Sequence, residues 1–157
     1  MEHCIINSPL GHIEIVGDSK GIKSIVILDS EAEETSNIPF VLSDCVNQLQ
    51  EYFEGKRKDF YLTLNPQGTS FQKRVWNALR QIPYGKTISY MELSLSIGHT
   101  KAIRAVANAN SKNPLWIVVP CHRVIGKDGS LTGYAGGLYR KQWLINHESP
   151  CTQQRLF

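Results

Sequence analysis

Pro120-Cys121-His122-Arg123 is the segment of this chain whose residue types can do covalent chemistry. A cysteine attacks as its thiolate, and an ordinary thiol ionises near pKa ~8.5. His122 and Arg123 are potential cations, and positive charge beside a thiol favours the thiolate. The preceding run, Leu115-Trp116-Ile117-Val118-Val119, is apolar throughout and predicts a buried strand. Pro120 lacks a backbone donor and ends the pairing, leaving Cys121 just past a strand end, where pockets open. In an extended chain, however, Cys121 and His122 point to opposite faces. On spacing alone the plain reading, a cysteine buried for packing, stays open. The other cysteines carry weaker cases: Cys45 falls on an apolar helix stripe, Cys4 lies in a strand beside His3, and Cys151 sits in a tail. No Cys-x-x-Cys pair occurs, so free thiols in a reducing compartment are expected. A zinc site from His3, Cys4, His12 and Cys45 lacks paired-ligand spacing.

Two segments must hold these residues. In the first, Cys4–Ile6, His12–Val16 and Ile22–Leu28 read as strands separated by turn residues, and Glu31–Asn37 as an exposed loop. Leu42, Cys45, Val46, Leu49, Tyr52 and Phe53 then mark one face of a helix over Phe40–Gly55, closed by Gly55. Phe60–Leu64 reads as a further strand. In the second segment Thr69 and Gln72 form a capping box for a helix with Phe71, Val75, Ala78, Leu79 and Ile82 on its apolar stripe, stopped by Pro83. Ser89 and Glu92 form a second box, for a short helix ending near Gly98. Thr100 is the expected cap of a third helix, Lys101 to about Asn110. The last two helices have the size of a helix-turn-helix.

Charge divides where Asn65-Pro66-Gln67-Gly68 signals a turn. Residues 1–66 hold five basic and eleven acidic side chains, a net −6; residues 67–157 hold twelve and three, a net +9. A basic half suits a polyanionic partner. On the third helix Ala102, Ile103, Val106 and Ala107 are expected to pack inward. Lys101, Arg104, Asn108 and Ser111 share the other face, which has no acid and can lie against phosphates. No apolar run approaches the ~20 residues of a membrane helix. The first residues show no signal-peptide pattern, so a cytoplasmic protein without a membrane partner is expected.

Pro120-Cys121-His122-Arg123-Val124-Ile125-Gly126 resembles the active-site signature of the O6-alkylguanine-DNA alkyltransferases, also called methylated-DNA–protein-cysteine methyltransferases. Phe71-Gln72-x-x-Val75-Trp76, Ile82-Pro83-x-Gly85, Ser89-Tyr90, Ala105-Val106-Ala107 and Asn113-Pro114 match upstream. Gly133-Tyr134-x-Gly136-Gly137 and Trp143-Leu144-x-x-His147-Glu148 match downstream, so the agreement spans residues 71–148. The resemblance implies an α+β protein. A small ribonuclease-H-like α/β domain takes residues 1–66. A mainly helical, winged-helix-like domain with the helix-turn-helix takes residues 67–157.

It also implies the chemistry. The lesion base is flipped out of the duplex, and Cys121 takes the alkyl group from guanine O6, with weaker action on O4-alkylthymine. A thioether does not leave in water, so each molecule reacts once. His122 is implied as the base, Glu148 as its orienter, Tyr90 as proton donor to the departing guanine, and Asn113 as the brace of the turn before the cysteine. Arg104 is implied to enter the stack, with Lys101, Asn108, Ser89 and Thr100 on DNA. Val124, Tyr134, Ala135 and Gly136 are implied to line the base pocket. Many relatives carry a polar residue where this chain has Ala135, which bears on substrate range. No N-terminal set matches the zinc site of some relatives, so no metal and no cofactor is expected. Double-stranded DNA is the expected partner of a monomer. Two other readings compete: a helix-turn-helix regulator or lesion sensor with a structural Cys121, and a cysteine hydrolase that needs no DNA.

Overall fold

The computed structural model describes residues 1–98, 101–126 and 134–149. The chain forms two compact units, Met1–Gln67 with Pro114–Trp116, and Gly68–Asn113 with Ile117–Phe157. The excursion of Pro114–Trp116 into the first unit has no counterpart in the sequence reading.

In the first unit β1 (Glu2–Ile6), β2 (Ile13–Asp18) and β3 (Gly21–Ile27) make an antiparallel meander. Its alternation is plain in β2, where Ile13 and Ile15 are fully buried and Glu14 between them is not. A single 3-10 turn, Phe40–Leu42, leads into α1 (Ser43–Phe53), which buries Cys45, Val46, Gln48, Leu49 and Tyr52. Gly55 follows with φ 77°, a left-handed position that suits glycine at a helix end. The strand expected over Phe60–Leu64 does not form: Leu64 makes one isolated parallel bridge to Ile22. Gln48 holds that stretch instead, since its side chain bonds both the N–H and the carbonyl of Tyr61 at 2.9 and 3.2 Å.

The second unit is helical. α2 (Ser70–Leu79) opens on the capping box of Thr69 and Gln72, with bonds of 3.0 and 2.9 Å. A two-residue strand β4 (Ile88–Ser89) runs into α3 (Tyr90–Ser96), opened by the Ser89–Glu92 box. α4 spans Ile103–Ser111 and starts later than expected. Its N-cap position is Ala102, whose side chain has no capping oxygen; Thr100 lies outside the described residues. Its buried residues are Val106, Ala109 and Asn110, so the inward face is rotated from the one expected, and Ala102, Ile103 and Ala107 are half-buried. The Trp76 indole of α2 fixes this rotation by donating to the Ala109 carbonyl at 2.8 Å.

Leu115–Val119 is not a strand. Leu115 makes one bridge to Ile25, and the rest is a turn, buried apart from the half-buried Trp116, in which Ile117 has φ 74°. The apolar run reported burial correctly, but burial without alternation does not set backbone conformation. A 3-10 turn, Cys121–Arg123, leads into β5 (Val124–Ile125), which pairs in parallel with β4. α5 (Leu138–Glu148) closes the unit. Among the described residues no helix is long and apolar enough to cross a membrane.

Candidate active site

The cysteine is set by a chain of short backbone bonds. Beyond α4, the Asn113 side chain, 3% exposed, donates to the Val119 carbonyl at 2.9 Å. The same oxygen accepts the Cys121 N–H at 2.8 Å. Pro120 between them has φ −81° and ψ 64°, the geometry of an inverse γ-turn. Arg123 N–H then reaches the Pro120 carbonyl at 3.0 Å and closes the 3-10 turn. Cys121 comes out 3% exposed. Burial pushes its thiol up to about 11, against the hydrogen bond from Asn113, the charge of Lys141 and the cysteine's own N–H, all of which favour the thiolate. The resting group is therefore a thiol. The positive charge that favours the thiolate here comes from Lys141 and not from the flanking His122 or Arg123, and burial outweighs it.

The two flanking residues both engage Glu148. Arg123 grips Glu148 with two prongs, Nε to Oε1 at 2.8 Å and Nη2 to Oε2 at 3.0 Å, and its Nη1 donates to the Ile82 carbonyl at 2.7 Å. Its guanidinium also lies over the Tyr84 ring, 5.8 Å from the centroid. His122, fully buried, sets Nε2 2.9 Å from Glu148 Oε2. Burial alone would raise the Glu148 carboxyl, but His122 and Arg123 outweigh it and hold the group well below the usual carboxylate range. An ionised carboxylate only accepts, so the His122 proton sits on Nε2. Burial keeps the ring neutral against the pull of Glu148, helped by the charges of Arg123 and Lys141. Nδ1 is then a lone-pair acceptor, buried and without a protein hydrogen-bond partner among the described residues. The Cys121 neighbourhood thus holds a thiol, a neutral imidazole with a basic nitrogen to spare, and a carboxylate that fixes its tautomer.

Lys141 is the member that the sequence reading missed. It is fully buried on α5, and its ammonium donates to the Val124 carbonyl at 2.6 Å. Burial pulls it down to about 8, opposed by its interaction with Cys121. A signal was present: Lys141, Leu144 and Glu148 recur at i, i+3 and i+7, one helix face. A lysine on a buried stripe has to meet a partner.

The remaining residues divide between this cluster and the surface. Tyr134 is 8% exposed and its phenol is raised well above its ordinary value by burial and then by Cys121. Gly136 is buried and Ala135 exposed. Gly137, with φ 90°, turns the chain into α5, its N–H on the Tyr134 carbonyl at 3.0 Å. Val124 pairs with Ile88 and Ile125 with Ser89, which brings Tyr90, the first residue of α3, to the end of the Val124–Ile125 strand. Ser89 is committed locally: its hydroxyl accepts the Glu92 N–H at 3.0 Å. Lys101, Arg104 and Asn108 stand exposed on or beside α4, apart from the buried cluster, and Thr100 is outside the described residues. Among the described residues no group of three or more His, Cys, Asp or Glu is arranged to hold a metal ion. Cys4 and Cys45 are fully buried, with burial pushing their thiols up to about 11 and about 12.

Family models match both halves of the chain. Residues 1–66 match the ribonuclease-like domain of 6-O-methylguanine DNA methyltransferase, and residues 70–150 match its DNA binding domain. A methylated-DNA–protein-cysteine methyltransferase of Methanosarcina barkeri is 47% identical over 154 residues, covering 94% of this chain and 97% of its own. The constitutive enzyme of that name in Bacillus subtilis is 50% identical over 123 residues, covering 78% of this chain and 72% of its own. A Mycobacterium tuberculosis OGT crystallised in complex with DNA superposes with a TM-score of 0.83 at 41% identity, covering 98% of each chain. The chain belongs to the family of methylated-DNA–protein-cysteine methyltransferases.

Proposed function

We propose that this protein repairs DNA by moving an alkyl group from O6-alkylguanine to the sulfur of Cys121, once per molecule. The single observation that carries the reading is the state of His122. Its Nε2 proton is engaged by Glu148 at 2.9 Å, so its buried Nδ1 is a base with no other protein partner among the described residues. The neighbouring thiol, pushed up to about 11, needs such a base before it can attack.

The reaction is one substitution. The Cys121 proton goes to His122 Nδ1 through a bridging water, and the thiolate attacks the alkyl carbon. The sulfur–carbon bond forms as the carbon–O6 bond breaks, and O6 keeps the electron pair. Tyr90 supplies a proton to the guanine as its charge grows. Two groups supply thiolate stabilisation inside the protein: the Asn113 amide and the buried Lys141 ammonium. Arg123 keeps Glu148 ionised, and Glu148 holds the His122 proton on Nε2. A sulfur with two carbon substituents has no leaving path in water, so turnover ends there.

DNA is the partner. The exposed Lys101, Arg104 and Asn108 would meet the duplex, mostly at phosphates, with Ser89 and Thr100 nearby. Arg104 fills the space of the flipped base. Val124, Tyr134, Ala135 and Gly136 receive that base, with O4-alkylthymine a weaker substrate. The protein acts as a monomer, in the cytoplasm, without a cofactor. The +9 balance of residues 67–157 supports the DNA assignment.

The test is intact-protein and peptide mass spectrometry after mixing with a duplex holding one O6-methylguanine. One methyl on the Cys121 peptide, saturating at one per molecule and absent in Cys121→Ala, is the expected result. Duplex binding with an unmodified Cys121 would mean a lesion sensor instead.

A further inference from the structure

Four residues before the cysteine, Ile117 holds φ 74°, and it is the one non-glycine residue with positive φ among the described residues. A β-branched side chain resists this region of backbone space more than most, because its branches crowd the neighbouring carbonyls. The residue is nonetheless 1% exposed, within a run where Leu115, Val118 and Val119 are also buried. Packing therefore holds a backbone that the residue itself disfavours by about tenfold or more in population. Two residues on, the reversed chain presents the Val119 carbonyl to both the Asn113 amide at 2.9 Å and the Cys121 N–H at 2.8 Å. If Ile117 relaxed to negative φ, the following peptide would rotate, and that shared carbonyl would leave at least one of its donors.

We propose that Ile117 is a positioning residue: its left-handed backbone, locked by burial of its own side chain, sets the Val119 carbonyl and through it the direction of Cys121. This rests on the alkyl-transfer reading above. Strain of this kind persists where surrounding structure over-determines it, and it concentrates at working sites. A side chain present only to fill space implies something different. Its removal then costs according to the atoms lost, whatever the backbone preference of the replacement.

Ile117→Ala and Ile117→Gly separate the two. Both lose the side chain, but glycine enters the left-handed region freely and alanine does not. Single-turnover methyl transfer at saturating duplex is measured for parent and both variants, with iodoacetamide labelling of Cys121 as a DNA-free readout. Ile117→Ala is expected to slow transfer by about tenfold or more, and Ile117→Gly to recover most of that loss, although glycine is ordinarily the less stable replacement. Equal rates, or a slower glycine variant, would overturn the proposal. Should neither fold, Ile117→Asn and Ile117→Thr repeat the comparison at similar size, since Asn tolerates positive φ and Thr does not. The expected order is Asn faster than Thr, and the reverse or a tie overturns it. No transfer by the parent protein would sink the alkyl-transfer reading itself, whereas transfer by the parent with no Gly-over-Ala difference sinks only this inference.

Discussion

Replacing Lys141 by methionine tests whether a buried charge has been kept for chemistry at the expense of the fold. Burial moves its ammonium from 10.5 to about 8. The folded value lies below the unfolded one, so the unfolded chain binds the proton more tightly. The charged lysine then weakens the fold by about 3 kcal/mol at neutral pH, a cost that fades as pH rises from about 8 to 10.5. Methionine removes that cost but leaves the Val124 carbonyl without its donor, which costs about 1–3 kcal/mol. Lys141→Met should therefore unfold in urea at pH 7 no more easily than the parent. The parent should gain stability between pH 8 and pH 9 relative to the variant. Above pH 9 the buried thiols, raised to about 11 and about 12, act in the other direction. Repair should move oppositely to stability. A unit charge a few ångströms from a thiolate is worth about 2–4 kcal/mol at an effective dielectric near 20, so single-turnover transfer should slow by about thirtyfold or more. Parent-like transfer in the folded variant would refute the role given to Lys141. Parent and variant curves that stay parallel from pH 7 to 9 would refute the buried-charge reasoning.

Other consequences follow from the same geometry. Arg123→Met strips the two-pronged partner from a buried carboxylate and should cost about 3–5 kcal/mol in urea unfolding; a loss under 1 kcal/mol would mean that Glu148 is already solvated. His122 and Glu148 are both held below their ordinary values, so the unfolded chain takes up protons first. Their stability is present at neutral pH and lost in two stages, first as pH falls below about 6.5 and again below about 4.3; acid titration of Glu148→Gln should lack the second stage. Thr69→Ala removes a reciprocal cap and should cost about 1 kcal/mol by thermal melting. Lys101→Ala should weaken duplex binding about equally for all flanking sequences and lower the salt slope by about 1, read by fluorescence anisotropy.

What could be read in the sequence follows from the range of the forces involved. Both capping boxes were legible because Thr69 to Gln72 and Ser89 to Glu92 are bonds within one turn, encoded by residue type and spacing alone. The stripe of α1 was legible for the same reason. The turn at Leu115–Val119 was not, because five apolar residues in a row announce burial and say nothing about φ. The grip of Arg123 on Glu148 spans 25 residues, and nothing local distinguishes that arginine from a cation free to act on Cys121. Burial also reversed the inference about the thiol: neighbours in sequence suggested a stabilised thiolate, whereas exclusion of water, a tertiary effect, dominates. The rotation of α4 was invisible for a related reason, since it depends on one indole donating across to the helix end.

The parallel ladder of Ile88–Ser89 with Val124–Ile125 is only two residues long, yet each strand abuts something consequential. One strand flows straight into Tyr90 and the first helix of the helix-turn-helix, and the other issues directly from the cysteine turn. Among the described residues, the two are joined at this point by the ladder itself. The ladder therefore ties the setting of Cys121 to the seating of the first helix of the helix-turn-helix, and a change that loosens it should disturb both at once.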